Sequence, residues 1–183
     1  MREVKAPEVR KQEIMDCAMA LFAKQGYDNT AMSHIAKELN IAVGLCYHYY
    51  ASKQELYNEA LIHYSRSCTE DIKAIFEKNL PLTKMRQEMS KVLIDVKSKF
   101  KYHEFFDKNK AFHSQLDRAL AEELIPCVAD YFRVLNKRGE ISVSNPEILA
   151  AFILYGEIPI FSSMDMDIEQ KIHIVGEIID KLL

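Results

Sequence analysis

Glycine and proline are scarce in this sequence. Each occurs five times in 183 residues, and long stretches hold neither. With so few helix breakers, the chain reads as mostly helical. No apolar run approaches the roughly 18 residues that a membrane span needs. The N-terminus, MREVKAPEVRKQEI, has charge but no apolar segment behind it, which excludes a secretory leader as its reading. Tryptophan is absent, and the four cysteines, Cys17, Cys46, Cys68 and Cys127, form no CxxC pair. They are expected to be free thiols of a cytoplasmic protein rather than zinc ligands. Charge of one sign is also missing. The net charge is −3, so any contact with a polyanion must come from a few placed groups and not from a strong field. Residues 1–54 carry seven Lys/Arg against six Asp/Glu, and residues 140–183 carry two against eight.

What is present is helical periodicity. Ile14, Cys17, Ala18, Leu21 and Phe22 form one apolar stripe of a helix from Pro7 or Glu8 to Gln25. Gly26 stops it in the role of a left-handed C-cap. Ahead of it Arg2, Lys5, Arg10 and Lys11 make a modestly basic arm, read as a solvated terminus. Thr30 is the expected N-cap of a short helix from Ala31 to Leu39, and Asn40 and a buried Ile41 are expected to shape the turn after it. A second short helix runs from Ala42 or Val43 to Tyr49. Ser52 and Glu55 read as a capping box, with Glu55 reaching back to the Ser52 amide. A long helix follows, to about Lys78, and Pro81 ends that segment.

Further helices are expected over 82–99, in one broken or two short pieces over 100–116, and over 117–137 with a bend or a start at Pro126. Asn145–Pro146 is a start signal for a nearly all-apolar helix to Phe161, which Pro159 kinks or ends. The last helix begins at Asp167. No strand is expected: the fold class is all-α.

Two short helices at a tight turn, braced by a preceding helix, are the helix-turn-helix arrangement, whose second helix can enter the major groove. That helix reads Val43, Gly44, Leu45, Cys46, Tyr47, His48, Tyr49. Tyr47 and His48 can donate to phosphates, and Lys53 stands at a helix N-terminus, which favours an anion. FAKQGYDNT, then IAKEL, then YHYY followed by ASKQEL make residues 14–56 resemble the DNA-binding domain of TetR-family transcriptional regulators.

The resemblance implies an N-terminal three-helix helix-turn-helix DNA-binding domain, residues 1–52. A long helix would join it to a helical regulatory and dimerisation domain, residues 53–183. It also implies a homodimeric repressor on a palindromic double-stranded operator, released by a small-molecule effector, with no enzymatic activity and no cofactor. Tyr47, His48 and Lys53 match positions that hold the phosphate backbone, with Thr30 and Ser33 as further DNA contacts. Val43, Gly44 and Leu45 fall where the family reads bases.

Three departures stand out. Asn40 replaces the turn glycine, Ala42 replaces a capping Ser or Thr, and Val43 and Leu45 are apolar. Apolar side chains at reading positions meet thymine methyls and make no bidentate pair with guanine, so an A·T-leaning readout is expected.

The last two helices are more apolar than one monomer face requires, which suits a four-helix dimer interface. Aromatic residues between Leu61 and Tyr155 supply either plain core or an effector pocket, for which Tyr64, His103, His113 and Tyr155 are the polar candidates. His113 and Asp117 lie four apart with no third ligand in pattern, so no metal site is expected. An enzyme reading lacks a nucleophile elbow, a phosphate loop, HExxH or a carboxylate pair. An interaction or ligand-binding protein on the same scaffold, with weak or lost DNA binding, is the remaining alternative.

Overall fold

The computed structural model describes residues 6–99, 101–102, 109–163 and 165–183. These contain α1 (Pro7–Gln25), α2 (Met32–Glu38), α3 (Val43–Tyr49), α4 (Lys53–Glu77), α5 (Leu82–Lys99), α6 (Lys110–Arg138), α7 (Pro146–Phe161) and α8 (Ile168–Leu182). No strand occurs among the described residues, so the all-α class holds.

The helix ends follow local chemistry. Pro7 occupies the first turn of α1, where its missing N–H leaves no bond unmade. The Gly26 amide donates to the Phe22 carbonyl at 2.9 Å. Gly26 itself has φ 86° and ψ 163°, which is not the left-handed cap expected but an extended, positive-φ conformation open essentially only to glycine. Asn40 does take the left-handed conformation, φ 53°, and the Ile41 amide closes the turn onto the Ala36 carbonyl at 2.9 Å. Ile41 is half-buried rather than buried.

Three further expectations are corrected. The N-cap of α2 is Ala31, not Thr30; the Thr30 hydroxyl instead donates back to the Gly26 carbonyl at 2.8 Å. Glu55 reaches one residue past Ser52, its carboxylate accepting the Ala51 amide at 2.7 Å, while Ser52 Oγ accepts the Glu55 amide at 3.1 Å. No helix starts at Pro126, which lies inside one helix from Lys110 to Arg138. Proline removes one ladder bond there, and the burial of Leu124, Val128, Ala129, Phe132 and Leu135 outweighs that loss. Likewise Pro159 lies inside α7, which continues to Phe161. The starts of α7 and α8 are as read. Asn145 Oδ1 accepts the Ile148 amide at 2.9 Å, and Asp167 Oδ1 accepts the Gln170 amide at 2.8 Å.

The chain divides into two compact units. One takes Met1–Tyr64 with Tyr102–Leu116, the other Ser65–Lys101 with Asp117–Leu183. In the first, Ile14, Ala18, Phe22, Ile35, Cys46, Tyr50 and Leu56 are fully buried. Tyr50 is pure core, its hydroxyl donating to the Lys11 carbonyl at 3.2 Å. In the second, Ile72 and Ile75 of α4, Met85 of α5, the inner face of α6, and Ala150 and Ile153 of α7 form one apolar cluster.

Glu157 follows Ala150 and Ile153 on the same face of α7. It is half-buried, and desolvation raises its carboxyl to about 7. None of the four cysteines forms a disulfide. Burial pushes the Cys17 thiol up to about 11 and raises those of Cys46 and Cys127. Such thiols are poor nucleophiles.

Candidate nucleic-acid interface

The interface is built outward from α3. Its spacing buries Cys46 completely while turning Val43, Gly44, Tyr47 and His48 to solvent. Val43 is 43% exposed and Tyr47 52%, and a Cβ added at Gly44 would meet nothing within 4 Å. These four residues make one open face on a helix only seven residues long. Leu45, the other expected base-reading position, is half-buried and contributes less to that face. His48 packs edge-on against Tyr49, with ring centroids 5.2 Å apart, which holds its imidazole on the outer surface. Ala42 caps α3 with no side-chain bond, so the missing cap read from the sequence is a structural fact.

Ser33 is exposed in the first turn of α2. Its neighbour His34, absent from the expected contacts, is exposed as well. The Ala31 amide donates to His34 Nδ1 at 3.3 Å, so Nδ1 is the engaged acceptor of that ring. With Thr30 read as the cap, no sequence signal pointed to this bond, which follows from the cap being Ala31.

Two expected contacts are engaged inside the fold. Thr30 is 1% exposed. It supports the turn between α1 and α2, accepting from Gln25 Nε2 at 3.1 Å and donating to Gly26. Lys53 is half-buried. Its ammonium donates to the Tyr27 carbonyl at 2.9 Å and lies 4.0 Å from the centroid of the Tyr27 ring. Tyr27 in turn packs edge-on against Tyr57 at 5.0 Å, and Tyr57 against Phe22 at 4.9 Å. This aromatic set holds the start of α4, the end of α1 and the turn before α2 in one arrangement.

Three of the four polar residues expected to line an effector pocket lie among the described residues. Tyr64 is 8% exposed and its hydroxyl accepts the Tyr102 amide at 3.3 Å within the first unit. His113 is half-buried in the same unit. Tyr155, in the second, is 40% exposed, with its hydroxyl 3.4 Å from Glu122. His103 lies outside the described residues. No cluster of three His, Cys, Asp or Glu side chains that could hold a metal occurs among the described residues, and no helix there is long and apolar enough to cross a membrane.

With that geometry in hand, comparison with known proteins is direct. Residues 14–60 match the family described as bacterial regulatory proteins, tetR family, a stretch that runs from the middle of α1 through α2 and α3 to the start of α4. The chain is 25% identical over 114 residues to the biofilm operon icaADBC HTH-type negative transcriptional regulator IcaR of Staphylococcus epidermidis, covering 61% of this chain and 62% of that protein. It is 30% identical over 97 residues to the IcaR of Staphylococcus aureus, covering 53% of this chain and 46% of that protein. The likeness thus spans less than two thirds of either relative's length.

Among solved structures, a TetR-family regulator of Syntrophomonas wolfei superposes with a TM-score of 0.69 at 19% identity, covering 97% of this chain and 96% of its own. One from Mesorhizobium loti gives 0.66 at 22%, covering 92% and 93%. At such identities these two show the shared fold. Helix-turn-helix geometry, a family match confined to that element and a fold common to the whole length point the same way: residues 14–60 are similar to the TetR family of bacterial regulatory proteins, and the chain shares the fold of the two solved regulators.

Proposed function

We infer that this protein is a homodimeric DNA-binding transcriptional repressor, released from a palindromic operator by a small-molecule effector. The observation that carries the reading is the open face of α3, where Val43, Gly44, Tyr47 and His48 stand clear of the core while Cys46 anchors the helix. A recognition helix needs this division between an anchored side and a bare one. The IcaR proteins are described as negative regulators, which supports repression as the direction of control. In this reading residues 1–52 are the DNA-binding domain and 53–183 the regulatory and dimerising one, and the protein works in the cytoplasm.

Dimerisation is supported by the second unit. Ile148 is 68% exposed and Phe152 64%. With Tyr155 they follow a helical spacing along the outer face of α7, while α8 exposes Ile178 and Leu182. An apolar surface of this kind on two helices suits a second copy of itself in a four-helix interface. A symmetric dimer then presents two recognition helices to two half-sites about one DNA turn apart.

The effector remains an unidentified small molecule. Its route to DNA in this reading is α4, unbroken from Lys53 to Glu77, whose tilt would alter the spacing of the recognition helices. The alternative, a protein on this scaffold with little DNA affinity, is favoured by the uncapped start of α3 and its apolar reading face.

Fluorescence anisotropy on a duplex from upstream of the protein's own gene separates the two. Submicromolar binding by the wild type that Tyr47→Ala abolishes supports the repressor. Wild-type binding no tighter than to an unrelated duplex supports the alternative.

A further inference from the structure

Within the first unit, the turn after α1, the first turn of α4 and the beginning of α6 enclose a cleft of about 430 Å³, a volume suited to a small molecule. Its floor includes the buried rings of Tyr57 and Phe112, 6% and 2% exposed. Five carboxamides line it, each fixed by a bond inside the protein: Asn109 is fully engaged, donating to the Phe22 carbonyl and accepting the Phe112 amide, and the other four each keep one atom uncommitted. Gln25 Nε2 is held by the Asn29 carbonyl at 3.0 Å and by Thr30 Oγ1 at 3.1 Å. Asn29 Nδ2 is held by the Gln25 carbonyl at 3.0 Å, and Gln54 Nε2 by Asn58 Oδ1 at 2.8 Å. Gln115 Oε1 accepts from the Tyr57 hydroxyl.

The side-chain oxygens of Gln25, Asn29 and Gln54 therefore remain as acceptors, and Gln115 Nε2 remains as a donor. None of these four atoms has a partner among the described residues. Carboxamides whose other edge is already fixed lose little freedom on accepting a ligand, which is preorganisation. Lys24 and Asp28 at the rim cancel in charge, so nothing here favours a phosphate or a carboxylate over a neutral molecule.

We propose that this cleft binds an uncharged planar heterocycle of the nucleobase or nucleoside class. Such a ring can lie against the edges of Tyr57 and Phe112, with its amino or ring N–H groups donating to the cleft's oxygens and a ring nitrogen or carbonyl accepting from Gln115 Nε2. The site is separate from the open face of α3 and does not depend on that face binding DNA. An occupant would touch both the turn before α2 and the start of α6.

Tyrosine fluorescence of the full chain, which has no tryptophan, gives the test with adenosine as probe, inosine as a second base and ribose as control. The expected result is saturable binding at one site per chain with half-saturation below ~1 mM. Gln54→Leu, an exposed position, should weaken it by about tenfold, the loss of one hydrogen bond. Gln115→Leu, checked for folding by circular dichroism, should weaken it as well. No saturable signal from either nucleoside overturns the proposal. Equal binding of ribose, or adenosine binding unchanged in both variants, overturns it too. DNA affinity, measured separately, reports on the repressor reading alone.

Discussion

The Lys53 ammonium lies 4.0 Å from the centroid of the Tyr27 ring and donates to the carbonyl of the same residue at 2.9 Å. One side chain at the start of α4 thus fastens both the ring and the backbone of the turn that leads into α2. Lys53→Met keeps much of the aliphatic stem and removes the charge and the donor. It should cost about 1–2 kcal/mol, read as a lowered urea midpoint with an unchanged slope. A loss of DNA affinity without any loss of stability would instead return Lys53 to a direct phosphate contact.

Gly26 is the second restraint on that turn. At φ 86° and ψ 163° its backbone sits where a side chain is strained, although an added Cβ would meet only Asn109 Nδ2, at 3.7 Å. The conflict is in the backbone and not in space. Gly26→Ala should therefore destabilise by about 1–3 kcal/mol, measured by thermal unfolding. An unchanged midpoint would mean that the turn relaxes into another conformation.

Tyr47 and Val43 lie on the open face, so their substitution should separate binding from stability. Tyr47→Ala should leave the unfolding midpoint within about 0.5 kcal/mol of wild type while reducing operator affinity about tenfold or more. Because Val43 offers only methyl contacts, affinity should respond to A·T-to-G·C changes at the half-site centre. A gel-shift competition in which central G·C pairs are required would contradict that readout.

The exposed α7 face predicts its own test. Phe152→Glu places a charge where an apolar contact is proposed. It should convert a dimer to a monomer in size-exclusion chromatography with light scattering, with helicity by circular dichroism retained. A wild type that is monomeric at micromolar concentration would remove the dimer from the proposal.

Glu157 gives a pH signature. Its carboxyl is raised to about 7 from an ordinary 4.5 by burial, so the folded state holds the proton more tightly than the unfolded chain. Its contribution is most favourable below pH 4.5 and is lost as pH rises through 7. The slope in that window is at most about 1.4 kcal/mol per pH unit. Glu157→Gln should match wild type near pH 4.5, exceed it at pH 8 in urea unfolding, and lack that slope.

Much of the fold was legible because it is encoded locally. Asn145–Pro146 and Asp167–Gln170 announce their helices through bonds spanning three residues, and Asn40 announces the turn through its tolerance of positive φ. Pro126, read as a possible helix start, misled for the same reason. Locally proline weakens a helix, but the apolar residues around it are buried in the second unit's core and keep α6 continuous.

The site divided along that line too. The sequence alone determined a helix-turn-helix with an apolar reading face and no side-chain cap on α3, since residue type and spacing decide those. Only the tertiary structure decided which polar groups face outward. Thr30 and Lys53 look available in the sequence and are engaged by Gly26 and Tyr27, whereas His34, unremarked in the sequence, stands exposed beside Ser33. A hydrogen bond across 26 residues has no periodicity to betray it. The stretch from Gly26 to Leu56 fixes its own helices, and the packing of Phe22, Tyr27 and Tyr57 chooses which of its side chains face outward.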